Sequence, residues 1–219
     1  MSNMTQWCAR LGVIAAATLL CTQAGAADAV RYWGAHAGVN TPTSWNAQVD
    51  YGAGSLATAR LDLDRGAHAG LVLGRQSGHA RYELEYEAGR MKTKRLTIGP
   101  RSAALGARGR YQALFANVYR VEQLNESIDA FVGAGIGWGR ATMPRVGLGD
   151  GCSCFGPASQ SGFAWQLRAG LGYRVSAQSS VSLQTTWLAL PRPEAEGPPA
   201  VRYARKRFGA LTLGYSRQF

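Results

Sequence analysis

Residues 163–175, FAWQLRAGLGYRV, decide how this chain is read. Phe163, Trp165, Leu167, Ala169, Leu171 and Tyr173 occupy every second position, and Gln166, Arg168, Gly170, Gly172 and Arg174 lie between them. Successive side chains point to opposite faces of a strand, so a period of two marks a strand with one greasy face and one polar or bare face. The alternation recurs along the chain. In AFVGAGIGWGR, Ala130, Val132, Ala134, Ile136 and Trp138 oppose Gly133, Gly135, Gly137 and Gly139. In RYELEYEAGR, Tyr82, Leu84, Tyr86 and Ala88 oppose Arg81, Glu83, Glu85 and Glu87, and in VSLQTTWLAL, Val181, Leu183, Thr185, Trp187 and Ala189 oppose Ser182, Gln184, Thr186 and Leu188.

Eight such segments are read, at about residues 30–40, 66–76, 79–91, 109–121, 128–142, 161–175, 180–191 and 205–219. The connections QSGH, EQLNES and SAQSS are short and polar, whereas those between them are long, as in TPTSWNAQVDYGAGSLATARLDLDR. Short turns at one end, long loops at the other and an even strand count describe an outer-membrane barrel with both termini on the periplasmic side. A soluble lipocalin-like barrel would turn the greasy face inward and leave the glycine row of the fifth segment outside with no packing reason. A membrane barrel puts those glycines in a narrow lumen and Tyr82, Tyr86, Trp138, Trp165, Tyr173 and Trp187 near the lipid interfaces. The fold class expected is all-β, an eight-stranded antiparallel up-and-down transmembrane β-barrel whose interior is small enough to be filled by side chains.

The start of the chain agrees. MSNMTQWCAR carries Arg10, LGVIAAATLLC follows as an apolar run too short to span a bilayer as a helix, and Ala24-Gly25-Ala26 offers the small-x-small pattern of a cleavage site. Residues 1–26 are therefore expected to be a cleaved signal peptide and 27–219 the barrel domain. A lipoprotein acylated at Cys21 would need a small residue before it, where Leu20 stands. Export removes the cytoplasmic meaning of the formal net charge of +11, which is nucleic acid, and leaves lipid phosphates as the anions at hand. The 28 glycines are spread through the periodic segments and form no linker.

Cys152 and Cys154, in DGCSCFG, are the cysteines that outlast the signal. In an oxidising compartment they suit a small local disulfide, free or intermolecular thiols, or half of a metal shell. On the inward parity stand Glu83, Glu85, Glu87, Gln166, Arg168, Arg174, Gln184, His36 and His68. Opposite charges in a narrow lumen need one another, so a salt-bridged plug is expected, with a selective solute path as the alternative. His36 and His68 share lumenal parity on neighbouring strands, but no carboxylate accompanies them in sequence, so no metal site is expected. Ser77 and His79 are the nearest serine and histidine and fall in an expected turn, so the chain is read as a non-enzyme without a cofactor.

YWGAHAGVN, FVGAGIGWGRA, FAWQLRAGLGYRV and the closing LTLGYSRQF together resemble the opacity-type, OmpA-like outer-membrane β-barrel family of Gram-negative bacteria. The resemblance spans nearly all of the mature chain and rests on glycine and aromatic patterns, so it implies architecture more than activity. It implies that Leu211, Leu213, Tyr215 and the terminal Phe219 form the signal read by the barrel-assembly machinery, with Arg217 departing from the pattern. The second long loop concentrates Lys92, Lys94, Arg95, Arg101, Arg108 and Arg110, and the fourth adds Arg202, Arg205, Lys206 and Arg207. Facing outward, these meet outer-membrane lipid and the phosphates of lipopolysaccharide, or an anionic host-surface ligand. The function expected is structural or adhesin-like, the alternative a narrow porin, and the location the bacterial outer membrane.

Overall fold

Three tight turns set the hairpins at one end of the molecule. Gly78, in the left-handed region at φ 55°, joins β4 (Gly66–Ser77) to β5 (Ala80–Ile98). Asn125 Oδ1 accepts from the backbone N–H of Ser127 and Ile128, both at 2.9 Å, and so closes the turn from β7 (Arg108–Gln123) to β8 (Ile128–Met143). Ser176 Oγ does the same for Gln178 and Ser179 between β9 (Ala158–Arg174) and β10 (Ser179–Leu190). With β1 (Val30–Thr41) and β13 (Lys206–Gln218), these make eight antiparallel barrel strands.

The computed structural model describes residues 29–42, 44–53, 55–147, 157–195 and 200–219. The expected signal peptide and the Cys152/Cys154 pair lie outside the described residues. Among those described, every regular element is a strand. β1 pairs with β4 on one side and β13 on the other, with Tyr32 opposite Gln218 and Thr41 opposite Gly209, so the sheet closes. Phe219 extends the seam by donating its N–H to Arg31 O at 3.0 Å.

The outer wall is apolar. Leu71, Leu73, Leu84, Leu114, Val118, Val132, Ile136, Leu167, Leu171, Val181, Leu183, Leu211 and Leu213 all stand exposed on it. Trp33, Tyr82, Tyr173 and Tyr215 ring its periplasmic edge, and Trp138, Phe163 and Trp187 its other edge, as the aromatic girdles of a membrane barrel do. So broad a greasy belt on a closed sheet is stable only in lipid, where every backbone polar group must be paired within the protein. The expected fold class and the outer-membrane location hold.

The long connections are more ordered than their sequence suggested. β5 runs for 19 residues, well beyond the 9–11 or so that cross a bilayer, and turns at Gly99 into β6 (Arg101–Ala104). β2 (Trp45–Asp50) and β3 (Leu56–Asp64) form a hairpin that β3 docks on the upper part of β5, and β11 (Glu194–Ala195) and β12 (Ala200–Tyr203) continue the sheet past β2. The inner face of this ribbon, Trp45, Ala47, Val49, Leu61, Val201 and Tyr203, packs with Met91, Leu96, Tyr111, Phe115, Met143, Leu188, Leu190 and Phe208 into one buried core. Burial pushes the Tyr203 phenol up to about 12, keeping it neutral there. The lumen expected to be polar throughout is therefore polar only in its periplasmic half, because the loop ribbon supplies apolar partners to the upper half.

Leu213 faces lipid midway along β13. Leu213→Arg is expected to lower folding stability in vesicles by about 2–4 kcal/mol, read from denaturant titration, as for cations near the bilayer midplane.

Candidate functional site: the lumen and the basic outer wall

Glu85 is the hub of the lower lumen. Its carboxylate has no exposed surface, and it accepts from Arg168 Nη2 at 2.7 Å through Oε1 and from Asn117 Nδ2 and Gln166 Nε2, both at 2.8 Å, through Oε2. Arg168, on β9, also donates Nε to Thr186 Oγ1 at 3.1 Å and reaches Glu87 Oε2 at 3.5 Å. Gln166 ties the ring together by donating to Asn117 Oδ1 at 2.8 Å. These six side chains come from β5, β7, β9 and β10, so the network cross-links the barrel through its middle. It is the salt-bridged plug that alternation and charge implied.

Glu87 lies one inward step higher. It accepts from Tyr111 OH at 2.8 Å, and Tyr111 also donates to Asn40 Oδ1 at 3.3 Å while its ring meets Phe208 edge-on with centroids 5.6 Å apart. Tyr111 thus marks the floor of the apolar core. Below the hub, Glu83 accepts from Tyr32 OH at 2.6 Å and faces Arg81, whose guanidinium lies over the rings of Tyr119 and Phe131. A cavity of about 230 Å³ opens at the periplasmic end, lined by Tyr32, His36, Arg81, Glu83, Phe131 and Arg168 among others. It ends on the plug, and Phe115, Tyr111 and Phe208 are buried above it.

His36 and His68 do meet, with ring centroids 6.0 Å apart. His36 stands opposite Gly70 and His68 opposite Gly38 across the β1–β4 ladder. A Cβ on Gly70 would overlap the His36 ring, and one on Gly38 would press on the His68 ring, so these two glycines make the room for both imidazoles. On the far side Gly70 faces Glu87, which brings the carboxylate up to the pair. His36, His68 and Glu87 each offer a ligand atom, all within 4.8 Å of one another. The sequence concealed this third group because it lies on β5, one strand beyond His68. The signal that could have found it was the shared inward parity of Glu87 with the two histidines.

Other expectations fall elsewhere. Arg174 lines the open mouth of the lumenal cavity, its side chain 43% exposed, donating to Glu126 O at 3.0 Å and lying 3.9 Å from Asp129. Gln184 is buried in the lumen. His79 is exposed in the turn, with Nδ1 3.0 Å from Val121 O. Lys206, grouped with the loop cations, is instead buried, donating Nζ to Ser44 O at 3.0 Å beside Trp45. Leu211, Leu213, Tyr215 and Phe219 are exposed along the seam strand.

Lys92, Lys94, Arg95, Arg101 and Arg108 are all exposed, and most line one wall. The lipid-facing row Tyr86–Leu114–Trp138 crosses β5, β7 and β8. Two residues up, Arg140 lies opposite Gln112; four up, Arg90 lies opposite Arg110; six up, Lys92 lies opposite Arg108. At about 3.3 Å per residue, this band begins roughly 7 Å above the aromatic row and continues to roughly 20 Å. Asp64 faces Lys92 and Asp62 faces Arg95 from β3. Among the described residues, no carboxylate reaches ion-pair distance of Arg90, Arg108, Arg110 or Arg140. Arg110, Gln112, Arg140 and Thr142 line a depression of about 270 Å³ on this wall.

A closed barrel of eight strands with a lipid belt, a lumen cross-linked by buried ion pairs and a ribbon packed on its outer end is an integral β-barrel of the bacterial outer membrane. Solved structures of that kind share the fold: the outer-membrane protein OprG of Pseudomonas aeruginosa (TM-score 0.60, 12% identity, 87% of this chain and 95% of that one) and the neisserial surface protein A, NspA (0.55, 15%, 88% and 99%). AlkL, an outer-membrane protein solved in lipid bilayers, is similar as well (0.51, 16%, 91% and 94%). The chain matches no protein-family model and no curated protein sequence.

Removing Glu85 takes from Arg168 Nη2 its 2.7 Å acceptor and from Asn117 and Gln166 their shared one, leaving only the 3.5 Å approach of Glu87. Glu85→Ala is expected to lower stability by about 3–5 kcal/mol in denaturant unfolding, and Glu85→Gln, which keeps an acceptor at this place, to lose less.

Proposed function

We propose that this protein is a structural surface barrel whose lumen holds the wall together and whose basic wall, Arg90, Lys92, Lys94, Arg108, Arg110 and Arg140, grips phosphate groups of lipopolysaccharide. The observation that carries the reading is the cross-strand placement of like charges, Arg90 against Arg110 and Lys92 against Arg108, just above an aromatic girdle. Like charges directly opposite one another destabilise a ladder unless an anion sits between or beside them. Arginine matches phosphate with two parallel hydrogen bonds, and the depression between Arg110 and Arg140 is wide enough for such a group. Arg95 and Arg101, nearer the β5–β6 tip, extend the positive field outward, where an anionic host glycan is the other ligand of the same chemistry.

Binding of lipopolysaccharide to the purified barrel should weaken with rising salt, and Arg110→Gln with Arg140→Gln should reduce it several-fold more than Arg101→Gln. A stronger effect of Arg101→Gln would favour a ligand held at the loop tip. Affinity indifferent to salt and to all three changes would remove the proposal. In planar bilayers the barrel should stay silent, because the blind cavity and the apolar core support a plugged interior; discrete reproducible channels would favour the porin reading.

Leu211, Leu213, Tyr215 and Phe219 are read as the assembly signal for the same membrane. Deleting Phe219 should lower the amount of protein in the outer membrane while leaving the heat-dependent gel shift of the inserted fraction intact. Unchanged levels would take that role from Phe219.

A further inference from the structure

His36, His68 and Glu87 form a buried cluster that the plug does not use up. Each is at least nine-tenths buried. Among the described residues, Nδ1 and Nε2 of His36 and Nδ1 of His68 have no hydrogen-bond partner. Such atoms are costly in a closed interior, and an imidazole nitrogen without a partner is a lone pair or a proton aimed at something.

The surroundings favour the lone pair. His68 Nε2 lies 2.8 Å from Thr212 Oγ1, so donating its proton there leaves Nδ1 bare. His36 Nε2 lies 2.7 Å from Glu85 Oε1 without hydrogen-bond alignment, so both of its ring nitrogens are open to a ligand. An imidazole that gives one N–H to a carboxylate or hydroxyl and turns the other nitrogen inward is how metal-binding histidines are held. Glu87 Oε1 is engaged by Tyr111, whereas Oε2 has only the long 3.5 Å approach of Arg168. The charges point the same way. Two carboxyl groups, Glu85 and Glu87, stand against the single guanidinium of Arg168, and Glu83 below is matched by Arg81.

We infer that His36, His68 and Glu87 form a lumenal binding site for a divalent transition-metal ion, Zn²⁺ foremost, reached from the periplasm. Two imidazoles and one carboxylate are a zinc ligand set, with a solvent molecule from the cavity that His36 lines as the fourth ligand. Tetrahedral ligands stand about 3.4 Å apart, so groups now within 4.8 Å close on an ion by shifts of about 1 Å or less each. The glycine notches at 38 and 70 seat the edges of the two rings against the wall. Oxygen-only ions such as Mg²⁺ and Ca²⁺ are poorly served by two nitrogens. The site binds the ion without any bond being made or broken beyond coordination. It stands apart from the lipopolysaccharide reading.

The test uses the folded barrel in detergent, stripped with chelator and then titrated with Zn²⁺ and, separately, Co²⁺. The expected result is one Zn²⁺ per barrel, visible absorption bands on Co²⁺ loading, and an unfolding midpoint raised by Zn²⁺ but not by Mg²⁺. His68→Gln and Glu87→Gln should each weaken uptake by at least about tenfold, with His79→Gln unchanged as the surface control. Should either variant fail to refold, the native barrel's Co²⁺ bands and Zn²⁺-specific midpoint still decide. Failure of the native barrel to take up Zn²⁺ in stoichiometric amount overturns the inference, and so does uptake that survives both lumenal changes but is lost in His79→Gln, which would place the ion on the surface.

Discussion

Everything in this molecule depends on the seam between the first and last barrel strands. In a bilayer an unpaired strand edge has no water to bond to, so a sheet that crosses lipid must close on itself. β13 meets β1 over ten paired positions, from Gln218 opposite Tyr32 to Gly209 opposite Thr41. Closure then dictates the rest. It fixes which residues of each strand look inward, brings Glu85 on β5 within reach of Arg168 on β9, and forces bulky and bare positions to alternate around a narrow bore. Without that seam, neither the lipid belt nor the lumenal network has a surface to form on.

The bore is organised in two tiers, and the boundary falls at Tyr111. Below it, carboxylates, amides and the guanidiniums of Arg81 and Arg168 pair with one another beside a small cavity; above it, Trp45, Phe115, Phe208 and their neighbours pack as the core of a soluble protein would. Each tier is built from what faces it. Barrel strands can present only inward-pointing side chains, whereas the upper tier has a second layer, the β2–β3 hairpin with β12, to bury against. Exposed cations on the outer side of the same ribbon and of β5, β7 and β8 follow from that parity: once Met91, Leu96 and Tyr111 turn in, Arg90, Lys92 and Arg110 must turn out.

Strand periodicity made most of the fold legible. The alternation in 163–175 and 128–142 located barrel strands to within a few residues, because one face had to meet lipid without interruption. It did not reveal β2 and β3, although WNAQVD and LATARLDLD alternate as well. Those segments are short, flanked by TPTS and YGAG, and gain their partner only because β5 continues past the membrane, which periodicity ending near Met91 gave no reason to expect. For the site, the ion pairs of the lumen followed from parity alone, while parity says nothing about depth and so did not show that Arg174 lines the open mouth, away from the buried network. The approach of Glu87 to His36 and His68 was hidden for a related reason: it needs the stagger between strands, which pairing registers set and a single sequence does not display.

The apolar tier gives the molecule a sidedness. The cavity lined by Tyr32, His36 and Arg168 opens toward the cell's own compartment, whereas the outward half of the bore is filled by the ribbon and its apolar partners. The two ends of one small barrel thus turn a polar hollow to one side and a basic surface to the other.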